Sequence, residues 1–218
     1  YVEALKYVSK KYGIEVQERE LTPEEAKRND DRESMLVVSS YAADWFREKL
    51  VSTDEGKSVG LNYFRGRGMT DATIAKFGLG YCPAEGDAFT KAALDAGYKE
   101  EFLIGAGLSG KNDRGRFYDR FFGRVIFPIH SVSGRVIAFG GRTLRTDKKV
   151  AKYVNSPESE IYHKSNVLYG LFFAKKAITQ EDNCILVEGY TDVISMHQSG
   201  VENVVASSGT SLTIEQIR

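Results

Sequence analysis

Leu186-Val187-Glu188-Gly189-Tyr190-Thr191-Asp192-Val193 joins an apolar run to an amphipathic one across a single glycine, and its reading decides the fold. Cys184-Ile185-Leu186-Val187 reads as a fully buried strand, because an unbroken apolar run of this length suits a parallel strand covered on both faces. The run from Tyr190 to Gln198 reads as a helix, and a second strand is expected within Val201 to Ala206. The result is a strand-helix-strand unit, in which ligand sites gather at the carboxyl ends of the strands. Glu188 stands at such an end. Asp192, four residues on, lies one helical turn later on the same side. Two carboxylates in this position make a candidate divalent-ion site, with Glu188 the possible direct ligand.

Outward from this unit the charge changes sign. Residues 110 to 176 carry 14 Lys and Arg against 5 Asp and Glu, whereas residues 181 to 218 carry six acids against Arg218. The zero net charge, 30 basic against 30 acidic side chains, hides that asymmetry. A basic middle beside an acidic end suits a polyanion held next to metal ions. With 42% hydrophobic residues in 218, the chain can bury the core of one larger or two small domains, which excludes a disordered protein. No segment approaches the roughly 18 apolar residues of a membrane span, so no membrane partner is expected. Cys82 and Cys184 lack a Cys or His at metal-ligand spacing; they read as packing thiols in a reducing cytoplasm. His130 and His163 likewise have no second ligand nearby. Gly105-Ala106-Gly107-Leu108-Ser109-Gly110 does not open a helix after a clear strand, so it is not a dinucleotide loop.

The remaining elements follow from caps and periodicity. Residues 1 to 13 predict a short amphipathic helix stopped by Gly13, followed by a polar connector. Thr22-Pro23-Glu24-Glu25 combines an N-cap, a first-turn proline and first-turn acids, predicting a long helix to Leu50 with a possible break at Asn29 to Asp31. Short helices separated by glycines follow from Lys57 to Tyr98, with Thr70 capping one and a small strand at Gly78 to Tyr81. Arg124 to His130 and Gly134 to Gly140 read as a hairpin, Pro128 indicating an edge or a bulge. A polar loop is expected from Thr143 to Ser159, then a helix from Leu171 to Thr179.

Five blocks along the chain carry a family resemblance. Tyr118 to Ile129, Gly140-Gly141-Arg142, Lys152-Tyr153-Val154-Asn155-Ser156-Pro157-Glu158, His163-Lys164 and Leu168-Tyr169-Gly170 are similar in order and spacing to the RNA-polymerase core of bacterial DNA primases of the DnaG type. Glu188-Gly189-Tyr190-Thr191-Asp192 resembles the opening motif of the Toprim fold, and Ala206-Ser207-Ser208-Gly209-Thr210-Ser211 the segment after its second strand. The resemblance implies a mixed α/β fold. A helical tail at residues 1–13 would follow a zinc-ribbon domain, a basic amino-terminal subdomain would span 14–180, and the first part of a Toprim subdomain 181–218. It also implies synthesis of RNA primers on a single-stranded DNA template from ribonucleoside triphosphates, with the replicative helicase as partner in the bacterial cytoplasm. Mg2+ or Mn2+ is the implied Toprim cofactor and Zn2+ that of the ribbon, neither tightly held by these residues. The chain opens without Met and carries no Asp-x-Asp pair after Asp192, so a monomeric, inactive piece of a larger nucleotidyltransferase is expected.

The resemblance sharpens the roles. Glu188 and Asp192 take the catalytic positions. Arg142, following two glycines where backbone and ligand can approach closely, is expected to grip phosphate bidentately. Lys152 and Lys164 bracket the polar loop and Arg67 sits in the Arg65-Gly66-Arg67-Gly68 turn; all three are implied in template or nucleotide binding. Arg120 and Arg124 can contact phosphates, or Arg124 can pair with an acid of its own subdomain. Asn155 can position a sugar or phosphate. Tyr118 and Tyr153 read as core side chains in preference to base-stacking ones. Two alternatives remain: a single-stranded DNA-binding module without catalysis, and another Toprim enzyme, a topoisomerase or nuclease.

Overall fold

The structure, a computed structural model, describes residues 8–9, 11–12, 22–145, 150–207 and 212–217. The connector at 14–21, the centre of the 143–159 loop and Ser208 to Ser211 lie outside the described residues; of the first helix, residues 8, 9, 11 and 12 are helical. The chain forms two compact units, Tyr1–Asp31 and Arg32–Arg218.

Helix α1 spans Pro23–Ser52 and is not broken at Asn29 to Asp31. It begins with a reciprocal capping box. Thr22 Oγ1 accepts from the Glu25 N–H at 3.2 Å, and the Thr22 N–H donates to Glu25 Oε2 at 3.0 Å, satisfying two otherwise orphaned donors. Beyond Arg32 the helix buries Leu36, Val38, Ala42, Trp45, Phe46 and Leu50. A π-helical stretch at Gly56–Leu61 leads into α2 (Asn62–Gly66) and α3 (Asp71–Lys76). Thr70 caps α3 as expected, its side chain accepting from the Thr73 N–H. The chain continues through β1 (Gly80–Cys82), α4 (Ala88–Asp95) and α5 (Glu100–Gly105), then β2 (Ser109–Lys111) and β3 (Phe117–Asp119). It goes on through β4 (Arg124–His130), β5 (Val136–Thr143) and β6 (Tyr153–Asn155), and ends with α6 (Leu171–Glu181), β7 (Ile185–Val187), α7 (Tyr190–Gln198), β8 (Val204–Ala206) and α8 (Ile214–Ile217).

The main sheet is antiparallel throughout, in the order β1-β4-β5-β6. The expected β4–β5 hairpin forms, but β4 is an interior strand and not an edge. Pro128 is accommodated there because β1 pairs only as far as Ile126, so no neighbour on that side requires a proline N–H. A bulge follows between Ile129 and His130. The expected loop contains β6, a strand too short and polar for its periodicity to be read. Helix α1 packs Trp45 and Phe46 against Phe89 and Phe139, with ring centroids 5.2–5.5 Å apart in three of these contacts. Gly80 is required by this contact, since a Cβ there would stand 2.7 Å from that of Phe46.

Asp119, buried in the Tyr118–Ile129 block, caps α4 from a distance. It accepts from the N–H groups of Phe89 and Thr90 at 2.8 and 2.9 Å and from Thr90 Oγ1 at 2.6 Å. Burial raises its pKa against the opposing pull of these donors. Strands β7 and β8 are parallel around α7, as expected of a βαβ unit. β7, however, is not buried: Ile185 and Leu186 are 36% and 46% exposed. Among the described residues only β8 pairs with it, so its other edge is unpaired as well. Cys184, just before β7, is exposed, whereas Cys82 is buried in the core.

Candidate nucleic-acid and metal site

Glu188 directly follows β7 and is exposed, with no hydrogen bond or ion pair among the described residues. Asp192 is also exposed, but its Oδ2 turns back to accept from the Gly189 N–H at 3.1 Å, capping α7. Among the described residues no three His, Cys, Asp or Glu side chains gather as a metal-holding group. Glu188 thus stands as a single exposed carboxylate at the strand end, and Asp192 supports the turn that carries it.

Tyr190 fastens this turn to the main sheet. Its hydroxyl donates to Asn155 Oδ1 at 2.7 Å, and its ring stacks on Phe127 at 5.2 Å with 17° between planes. The edge of Tyr169 closes a further side at 4.6 Å. Gly140 makes this approach possible, because a Cβ there would collide with the Tyr190 ring.

The register then defines a shared face. Gly140 pairs with Asn155 and Arg142 with Tyr153, and directly opposed residues on neighbouring strands point to one side of a sheet. Arg142 thus stands two positions along β5 from the glycine that receives Tyr190. Its guanidinium lies over the rings of Tyr63 at 4.7 Å and Tyr153 at 5.7 Å, and its Nη1 donates to the Tyr63 hydroxyl. Arg67 lies over the same Tyr63 ring at 5.2 Å. Arg67 and Arg142, far apart in sequence, are brought together by one tyrosine. The exposed Lys152 precedes Tyr153, its carbonyl accepting from the Thr143 N–H at 3.0 Å. Tyr153 is 40% exposed, and Tyr118 38%, so neither is the core residue expected. Burial raises the Tyr153 pKa, Tyr63 adds to the rise, and the cations of Arg142 and Arg67 oppose it.

Arg124 has a different task from the phosphate contact expected of it. It is 7% exposed, and its Nη1 donates to the carbonyls of Ala151 at 3.0 Å and of Gly141 and Lys152 at 3.4 Å. Among the described residues no acid partners it; backbone carbonyls do, and they tie β6 and its approach to β5. Arg120 is half-buried after β3, where its N–H donates to the Leu108 carbonyl and its Nε has no partner. Lys164 occupies a 3-10 turn, Lys164–Asn166, held by its backbone: its N–H donates to Glu158 Oε1 at 3.0 Å and its carbonyl accepts from Gln216. No described contact joins Arg120 or Lys164 to the Arg142 cluster.

Three participants escaped the sequence reading. Tyr63 lies four residues before Arg67, a helical spacing that was readable in principle. Tyr190 reads as an ordinary helical residue. Gln198 closes the other end of α7 by accepting from the Thr70 N–H and donating to the Gly68 carbonyl, each at 2.8 Å. Helix α7 therefore touches the Arg67 turn at one end and the Arg142 sheet face at the other.

Comparison with known proteins agrees with this architecture. Residues 45–175 match the DNA primase catalytic core, N-terminal domain, and residues 182–218 match the Toprim domain. The chain belongs to the DNA primase catalytic core family. It is 42% identical over 220 residues to the DNA primase of Halalkalibacterium halodurans, which covers the whole chain and 36% of that protein. The chain thus spans about a third of the length of that relative. Among solved structures, the RNA polymerase domain of Mycobacterium tuberculosis primase DnaG superposes with a TM-score of 0.80 at 38% identity, covering 85% of this chain and 60% of that one. A DnaG primase catalytic domain bound to ssDNA superposes with a TM-score of 0.77 at 36% identity, covering 87% and 58%.

Proposed function

We propose that this chain is part of a primase that joins ribonucleotides on a single-stranded DNA template, and that Arg67, Arg142 and Lys152 hold phosphate groups beside Glu188. The observation carrying this reading is the shared sheet face, on which two guanidiniums and two tyrosine rings lie next to the residue that anchors the Glu188 turn. A guanidinium fork takes phosphate oxygens bidentately, and exposed aromatic rings accept stacked bases without sequence preference. Asn155 already receives the Tyr190 proton on Oδ1, so its Nδ2 hydrogens are those left for a sugar or phosphate. Lys164 and Arg120 are further cations proposed to meet phosphate outside this cluster, whereas Arg124 supports β6.

In the reaction a primer 3'-hydroxyl attacks the α-phosphate of a ribonucleoside triphosphate; a P–O bond forms as the hydroxyl proton passes to water, the bond from the α-phosphorus to the bridging oxygen breaks, and pyrophosphate leaves with the displaced charge. Glu188 would hold Mg2+ or Mn2+, which when bound stabilises the attacking and leaving oxygens. Arg142 and Lys152 orient the phosphates, and Asp192 keeps the Glu188 turn in place. The remaining carboxylates, a zinc ribbon, contact with the replicative helicase and a cytoplasmic place at the replication fork belong to the whole protein in this reading.

The test is primer synthesis by the whole protein on single-stranded DNA with labelled ribonucleotides, compared with Glu188→Gln. We expect synthesis to fall by at least 100-fold, on the order seen when a charge-stabilising group is removed from a transition state. Synthesis unchanged by the substitution overturns the role of Glu188. Template binding without any synthesis by the unsubstituted protein favours a binding module.

A further inference from the structure

The two arginines of the site are organised by a residue to which neither the motifs nor the charge pattern draws attention. Tyr63 is a half-buried residue of α2, with its ring edge to face against Phe64 at 5.4 Å. The Arg67 guanidinium lies over that ring at 5.2 Å and the Arg142 guanidinium at 4.7 Å, and the hydroxyl accepts from Arg142 Nη1. Two like charges are thereby held around one ring quadrupole, which attracts both. Among the described residues Arg142 Nε is buried without a hydrogen-bond partner, and the guanidinium is held by the ring and hydroxyl of Tyr63 and by the Tyr153 ring. An arginine on an open sheet face otherwise samples many rotamers, and ordering it on binding costs affinity.

We propose that Tyr63 is a positioning residue that holds Arg67 and Arg142 as a preformed pair for phosphate oxyanions. This rests on the reading of Arg142 as a phosphate ligand. The oxyanion can belong to a phosphodiester of the strand or to the triphosphate of a nucleotide; the chemistry is the same, and the binding probe separates them.

The experiment measures binding of the chain to a fluorescent oligodeoxythymidylate lacking terminal phosphate, and separately to ATP, for the unsubstituted protein, Tyr63→Leu, Tyr63→Phe, Arg142→Ala and the Tyr63→Leu/Arg142→Ala pair. Tyr63→Leu should weaken binding by roughly 3- to 10-fold. Tyr63→Phe, which keeps the ring, should recover most of that loss. In the Arg142→Ala background Tyr63→Leu should have a smaller further effect, limited to what the ring exerts through Arg67. The larger change on DNA assigns the pair to the strand, and the larger change on ATP assigns it to the triphosphate. Unchanged binding of both probes by Tyr63→Leu overturns the proposal, as does an equal loss with and without Arg142, which marks a purely structural residue. If the Leu variant does not fold, Tyr63→Phe carries the same cycle through loss of the hydroxyl contact, with a smaller, Arg142-dependent loss expected. Binding indifferent to Arg142→Ala would refute the phosphate reading itself; binding that needs Arg142 but not Tyr63 would refute only this inference.

Discussion

Tyr190→Phe isolates the hydrogen bond that fixes the Glu188 turn to the sheet. The ring stays between Phe127 and Gly140, and only the hydroxyl that donates to Asn155 Oδ1 at 2.7 Å is lost. Tyr190 is 5% exposed and Asn155 half-buried, so water replaces the donor incompletely. A neutral hydrogen bond of this kind contributes about 1 kcal/mol, rising to about 2 kcal/mol when its buried partner is left unsatisfied. In a chain of this size that corresponds to a Tm lower by roughly 2–8 °C. Tyr190→Ala also empties the ring site and should cost about 3–5 kcal/mol. Urea unfolding followed through the single tryptophan, Trp45, measures both. The reasoning fails if Tyr190→Phe lies within about 0.3 kcal/mol of the unsubstituted protein, the usual scatter of independent sites, or if Tyr190→Ala costs no more than Tyr190→Phe.

Two further predictions separate structural from binding residues and define the acid limit. Arg124→Leu removes the donor to the Ala151 and Lys152 carbonyls and should destabilise the fold by about 1–3 kcal/mol; the slope of DNA affinity against salt should stay unchanged, and a slope smaller by about one at full stability would return Arg124 to the phosphate set. His130 packs beside Phe172 and Phe173, and burial lowers its pKa to about 4 from 6.5. The unfolded chain therefore binds the proton first: stability is full above pH 6.5 and falls as pH drops toward 4, by up to about 3 kcal/mol. His197, lowered by burial and then by Lys76 against the opposing Glu202, shifts stability in the same direction. Urea midpoints measured from pH 7.5 to 4 should drop accordingly, and less steeply in His130→Phe; a flat profile in the unsubstituted protein refutes the assignment.

Local chemistry made much of this protein legible. The Thr22 N-cap, the Thr70 cap, the β4–β5 hairpin and the βαβ unit around α7 each rest on residues close in sequence, where one pattern has one physical reading. The misreadings share a different cause. The apolar run of β7 satisfies the rule for a strand buried on both faces, yet burial depends on which elements cover it, and among the described residues only β8 pairs with it. Tyr153 has a core-like side chain, but a position opposite Arg142 in β6 leaves it at the surface beneath a guanidinium.

The candidate site divides along the same line. Glu188 at a strand end, Asp192 one turn on, and the basic residues 110 to 176 could all be named from the chain alone, because chemistry and short spacing suffice to nominate them. Which of these cations act together could not. Arg124 and Arg142 are both arginines of the same sheet, but they point to opposite faces, one at backbone carbonyls and the other at the rings of Tyr153 on β6 and Tyr63 on α2. Sequence by itself determined the capped helices, the hairpin and the βαβ unit and nominated candidate reactive groups, since these follow from patterns within a few residues. Only the tertiary structure decided the partners, joining Tyr63 to Arg142 and Tyr190 to Asn155, because side-chain neighbours across a sheet are set by register and packing and not by distance along the chain.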